Sequence, residues 1–136
     1  IGLNYYFHNR IGNSKSDVKK SDLGWDLLPN GIYNVLLGLK KYKKPIYITE
    51  SGLADSEDKD RAWYIKEILK NVHRGISEGV DVRGYLYWSM IDNFEWDKGF
   101  WPRFGLIEVD YKNGLKRTIR PSARAYAKIV SDNGLR

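Results

Sequence analysis

Hydrophobic positions along this chain change their period several times, and each change marks an element. Pro45-Ile46-Tyr47-Ile48-Thr49-Glu50-Ser51-Gly52 is a β-branched and aromatic run ended by a carboxylate and a glycine. It predicts a short strand near 45–50, since the run is too brief for a helix and Gly52 lets the backbone turn. Pro45 parts this strand from the lysine-rich run before it, because proline cannot continue a helix and restricts its predecessor. Residues 1–6, Ile-Gly-Leu-Asn-Tyr-Tyr, predict another strand, with Asn4 and Tyr6 on one face and Leu3 and Tyr5 on the other. A third strand is expected near 82–91, where Val82, Tyr85, Leu86, Tyr87 and Trp88 follow in near-continuous apolar order. Runs of that kind belong to sheets covered on both faces.

Between the strands the period becomes helical. Ile32, Val35, Leu36, Leu39 and Tyr42 trace one stripe after Pro29, which suits a first helical turn. Ala62, Ile65, Ile68, Leu69, Val72 and Ile76 recur every three or four residues, with Asp55, Ser56 and Asp58 as candidate caps and Gly79 as terminator. Residues 8–24 are polar and rich in Gly and Ser, predicting a long loop that ends at Trp25. Asn113-Gly114 between two apolar runs predicts a hairpin. Pro121 opens a terminal helix near 121–132, closed by Asn133-Gly134. Strand, helix, strand, helix, strand argues for parallel βαβ units, an α/β class.

Composition narrows the function. The 136 residues carry 23 Lys and Arg against 17 Asp and Glu, yet the only basic cluster is Lys40, Lys41, Lys43 and Lys44. That cluster falls where a helix is expected to end, which favours cations, and no nucleic-acid-binding signature accompanies it. Cysteine is absent and the two histidines, His8 and His73, are far apart, so neither a disulfide framework nor a zinc site is expected. No apolar run approaches the roughly 20 residues of a membrane span. A cytoplasmic protein without metal or cofactor is therefore expected.

Two strand ends carry acidic residues among aromatics: Glu50 after one, Glu95 and Trp96 after the next, with Trp88 on that strand itself. A carboxylate at the end of an apolar strand is costly to bury unless paired or catalytic, although such a Glu also often simply reaches water. Aromatic faces with fixed carboxylates suit a sugar, whose C–H faces stack on rings while its hydroxyls need donors and acceptors. In a parallel α/β barrel, active groups gather at the carboxyl ends of strands.

Gly2-Leu3-Asn4-Tyr5-Tyr6, Ile48-Thr49-Glu50-Ser51-Gly52 and Trp88-Ser89-Met90-Ile91-Asp92-Asn93-Phe94-Glu95-Trp96, in this order, resemble the last part of a glycoside hydrolase family 1 β-glycosidase. The resemblance extends from residue 1 to about 130. It implies a (β/α)8 TIM barrel, of which this chain supplies about the last three βα units within one catalytic domain. It implies that Glu50 is the nucleophile of a retaining hydrolase and that Tyr6 orients it. It further implies that Asn4 lies near the sugar 2-hydroxyl, that Glu95 and Trp96 bind the outer hydroxyls, and that Trp88 is the platform beneath. Phe104 would wall the same subsite and Trp25 line the aglycone side.

Two positions depart from the usual pattern. Ser51 stands where family members commonly have Asn. Glu95 stands where relatives acting on 6-phosphorylated sugars carry a small residue, and a carboxylate there would repel a phosphate. Unphosphorylated β-glucosides or β-galactosides are therefore the expected substrates. The acid/base glutamate of this family lies in an Asn-Glu-Pro motif, which does not occur in these residues. The chain is thus expected to be a carboxyl-terminal piece, inactive by itself, or else a silent carbohydrate-binding or structural fragment. Its expected partners are a β-glycoside or oligosaccharide and the remaining barrel strands, with further copies of the chain left open, and neither nucleic acid nor membrane.

Overall fold

The computed structural model describes residues 1–8 and 18–135. Three parallel strands, β1 (Gly2–Asn4), β2 (Ile46–Ser51) and β3 (Val82–Tyr87), form one sheet in that order. Helix α1 (Gly31–Lys40) joins the first pair and α2 (Arg61–Ser77) the second. A hairpin, β4 (Ile107–Asp110) and β5 (Lys116–Ile119), leads to α3 (Pro121–Asp132). It meets the chain leaving β3 through one parallel bridge, Ile91 to Ile107.

The core lies on the helix side of the sheet. Tyr5, Ile46 and Ile48 pack there against Ile32 and Leu36 of α1 and Tyr64, Ile68 and Val72 of α2. Asp55 supplies the start of α2 from upstream, its carboxylate accepting the Asp60 and Arg61 amides at 2.9 and 3.0 Å. Asp58 caps α3 instead, accepting from the Ser122 amide at 2.9 Å. Arg61, fully buried, binds the Asp58 carboxylate and the carbonyls of Asp55 and Arg103.

Several expectations need correction. Among the described residues one face of the sheet is open: Tyr47 is 48% and Leu86 60% exposed, on the face that also carries Asn4 and Thr49, joined side chain to side chain at 2.6 Å. Strand β3 stops at Tyr87 rather than near residue 91, because the backbone of Ser89 and Met90 accepts instead from the Leu106 and Ile107 amides, each at 2.9 Å. Helix α1 begins two residues after Pro29 and ends at Lys40, so Lys41, Lys43 and Lys44 lie beyond it and Tyr42 is exposed. Ile76 and Val130, read as stripe positions, are exposed at 44% and 63%. They line an open groove of about 780 Å³ between α2, β3 and α3. The Asn113-Gly114 turn is a five-residue connection anchored by Asp110, whose carboxylate accepts the Lys112 and Asn113 amides. Of the loop expected over residues 8–24, positions 9–17 lie outside the described residues. The part that is described doubles back, with Lys20 and Asp26 bridged and Gly24 at φ +79°.

Candidate active site

Glu50 sits where β2 leaves its regular register: Asn4 pairs with Glu50 after a shift at Leu3, and β2 shifts again against β3 between Ile48 and Ser51. The shifts break strict alternation, so Glu50 is half-buried while Ser51 is fully buried. The Glu50 carbonyl accepts the Tyr5 amide at 2.9 Å, and its carboxylate Oε2 accepts the Tyr6 hydroxyl at 2.7 Å. Main chain and side chain of the two residues that follow β1 thus grip the same residue.

Tyr6 lies in an aromatic cluster. Trp25 meets its ring edge-on at 5.9 Å and Phe104 at 6.1 Å, and Trp25 and Phe104 lie 6.2 Å apart. Burial pushes the Tyr6 phenol far above its ordinary value, and the hydrogen bond to Glu50 pushes it further. It is therefore a proton donor, never an anion, at working pH. Glu95 belongs to the same electrostatic neighbourhood. Its carboxyl is raised first by burial, then by the Glu50 and Asp97 charges.

Trp88 is tied to the β2 end, its amide donating to the Ser51 carbonyl at 2.9 Å. The next residue must be glycine: a Cβ at Gly52 would stand 1.8 Å from the Trp88 carbonyl oxygen. Asn4 faces Thr49 on the open side of the sheet. The structure therefore gathers Asn4, Tyr6, Trp25, Glu50 and Phe104 directly, with Glu95 within electrostatic reach and Trp88 linked through backbone. Trp96 stands apart in the 3-10 turn Trp96–Lys98, 81% exposed, without a ring contact among the described residues.

Three further residues shape the site without having been singled out in the sequence. Phe7 stacks on Trp25 with centroids 4.8 Å apart, extending the Tyr5-Tyr6 aromatic run. Tyr64 donates to the Tyr6 carbonyl at 2.9 Å. Asp92, fully buried, accepts from Arg120, Arg103 and the amides of Gly105 and Val109, fixing the start of the segment that bears Glu95. Among the described residues no cluster of His, Cys, Asp and Glu could hold a metal ion, and no helix is long and apolar enough to cross a membrane.

The sequence profile of glycosyl hydrolase family 1 matches residues 3–135. The chain belongs to this family. It is 47% identical to a β-galactosidase of Sulfolobus acidocaldarius, over 99% of this chain and 32% of that one. It is 36% identical to a 1,4-β-D-glucan glucohydrolase of Thermotoga neapolitana, over 99% and 35%. Among solved structures, the β-glucosidase from Thermotoga maritima in complex with methoxycarbonyl-substituted glucoimidazole superposes with a TM-score of 0.92 at 35% identity, over 99% of this chain and 35% of that one. The chain thus spans about a third of the length of these relatives, and its three parallel strands are part of a (β/α)8 barrel.

Proposed function

We propose that this chain is the nucleophile-bearing portion of a retaining β-glycosidase acting on unphosphorylated β-glucosides or β-galactosides. The observation that carries the reading is the Tyr6 hydroxyl held 2.7 Å from Glu50 Oε2 inside an aromatic enclosure. A neutral donor at that place holds the carboxylate in one position and aims it. In the first step a Glu50 oxygen bonds the anomeric carbon, the bond to the aglycone oxygen breaks, and that oxygen takes a proton from a general acid. In the second, water attacks the same carbon, Glu50 leaves as carboxylate, and the water's proton returns to the group that gave the first. That acid/base group lies outside these residues, on the preceding part of the barrel, and the strands here correspond to the sixth, seventh and eighth of the barrel.

Asn4 binds the 2-hydroxyl, a role supported by its pairing with Glu50 across the sheet. Trp88 supplies an apolar face, Glu95 and Trp96 bind outer hydroxyls, Phe104 walls the subsite and Trp25 borders the aglycone. The Glu95 charge supports the preference for sugars without a 6-phosphate. The β-galactosidase and glucan glucohydrolase relatives support a gluco- or galactoside.

The test joins this chain to the amino-terminal two thirds of the Sulfolobus acidocaldarius β-galactosidase, giving an assembled enzyme. It is expected to hydrolyse an aryl β-glucoside and to be labelled on Glu50 by a 2-deoxy-2-fluoro glycoside, whereas Glu50→Gln should be inactive. Turnover by the isolated chain, unaffected by Glu50→Gln, would overturn the reading. An assembled enzyme that binds sugar but is never labelled would instead favour a silent carbohydrate-binding fragment.

A further inference from the structure

The first turn of α2 reaches both backbone segments that flank Glu50. Arg61 donates to the Arg103 carbonyl at 2.8 Å, next to Phe104, and Tyr64 donates to the Tyr6 carbonyl at 2.9 Å. The two side chains are three residues apart, so they share one face of the helix. Both are fully buried. Tyr64 sits in the core cluster with Ile48 and Ile68, so its ring has little freedom and its hydroxyl is delivered to one place.

Tyr6 therefore has three restraints with different directions. Trp25 and Phe104 confine its ring from the sides, at 5.9 and 6.1 Å. Edge-on ring contacts tolerate sliding along the strand far better than a hydrogen bond does. The Tyr64 bond to the Tyr6 carbonyl removes that sliding. Strand β1 is only three residues long and ends at Asn4, so no ladder bond extends to Tyr6 itself. The Tyr5 amide bond to the Glu50 carbonyl is the last regular link before it.

We propose that Tyr64 is a positioning residue that acts through Tyr6 on the Glu50 carboxylate. The α2 core sets the length of the Tyr6–Glu50 hydrogen bond and so how firmly the Glu50 carboxylate is held and aimed. The inference rests on Glu50 being the nucleophile.

The experiment is a double-variant cycle in the assembled enzyme, with Tyr6→Phe, Tyr64→Phe and both together. Tyr64→Phe is expected to lower kcat by roughly tenfold with little change in KM, as loss of one aligning hydrogen bond would. It should also move the acid limb of the kcat/KM profile to higher pH, because a loosened Tyr6 stabilises the Glu50 anion less. The double variant should be no slower than Tyr6→Phe alone, within about twofold. A purely structural Tyr64 would lower the melting temperature while leaving kcat and the acid limb of the folded fraction unchanged, and multiplicative losses would show that Tyr64 does not act through Tyr6. Either result overturns the proposal. Should Tyr64→Phe not fold, 3-fluorotyrosine at position 64, a stronger donor on the same ring, must shift the acid limb to lower pH, and no shift overturns it. Fluoroglycoside labelling of the parent separates the two levels. A label off Glu50 removes the nucleophile reading and this inference with it, whereas a Glu50 label with an additive cycle removes this inference alone.

Discussion

Replacing Asp92 by Asn removes one charge from the most heavily bonded carboxylate among the described residues. Arg120 reaches it through Nη1 at 3.0 Å and Nη2 at 3.2 Å, Arg103 at 3.3 Å, and the Gly105 and Val109 amides at 2.9 and 3.2 Å. The Asp92 side chain has no exposure and that of Arg120 only 4%, so water cannot replace a lost partner. Asn presents an NH2 group toward donors and leaves the Arg120 guanidinium uncompensated. Removing one member of such a pair costs about 3–5 kcal/mol, whereas exchanging both for apolar residues is often neutral. Arg103 softens the loss little, since it also donates to the Val109 carbonyl and lies over the Tyr111 ring. Asp92→Asn in the assembled enzyme should therefore lose about 3–5 kcal/mol, read from the denaturant midpoint by tryptophan fluorescence at a common m value. Arg120→Met should cost a similar amount, and Asp92→Leu with Arg120→Met clearly less than the sum. A loss under about 1 kcal/mol for Asp92→Asn, or strict additivity of the pair, would refute the account of this ion pair as the anchor of the Glu95 segment.

Further outcomes follow from the same geometry. Because the Glu95 carboxyl is raised by burial and by Glu50, the folded protein holds that proton more tightly than the unfolded chain, so ionised Glu95 opposes folding at neutral pH and stops doing so as pH falls through its range. Glu95→Gln should raise the melting temperature at about pH 7 and make little difference near pH 4; a pH-independent difference would contradict this. Gly52→Ala places a carbon 1.8 Å from the Trp88 carbonyl and should destabilise by at least about 1–3 kcal/mol, seen in thermal unfolding together with lost turnover. Strands β1 and β3 have no outer neighbour among the described residues, and Tyr47 and Leu86 are exposed beside them. The isolated chain should then self-associate with rising concentration on size-exclusion chromatography and bind a hydrophobic dye, and monomeric behaviour at every concentration would count against it.

Much of the framework was legible because it rests on local signals. Pro45 and Gly52 bracketed β2, the period of Ile65, Ile68 and Val72 marked α2, and Pro121 with Asn133 bounded α3. Where packing between distant segments decides, the pattern misled. Trp88 to Ile91 continue the run of β3, but the backbone of Ser89, Met90 and Ile91 pairs with Phe104, Leu106 and Ile107 instead. Tyr47 and Leu86 look like core residues in sequence, and their exposure belongs to a barrel interior that the three strands alone leave open. The family motifs named Glu50 and Tyr6, but Tyr64 reads as one more helix residue and Asp92 as one acidic loop position. Their importance lies in bonds across 58 and 28 residues, which no periodicity encodes.

The contact at Gly52 has a consequence for how such a site could be remodelled by directed evolution. Because the Trp88 carbonyl occupies the volume a side chain would need there, and the Trp88 amide is bonded to Ser51, the backbone carrying the Trp88 ring and the backbone carrying Glu50 share a single fixed spacing. A variant cannot draw one away from the other without breaking that hydrogen bond. On the function proposed above, new substrate preferences would come from exchanging rings and hydroxyls on the loops around that spacing, and the search for them is best directed at Trp96, Phe94 and Phe100, whose exposed side chains leave it untouched.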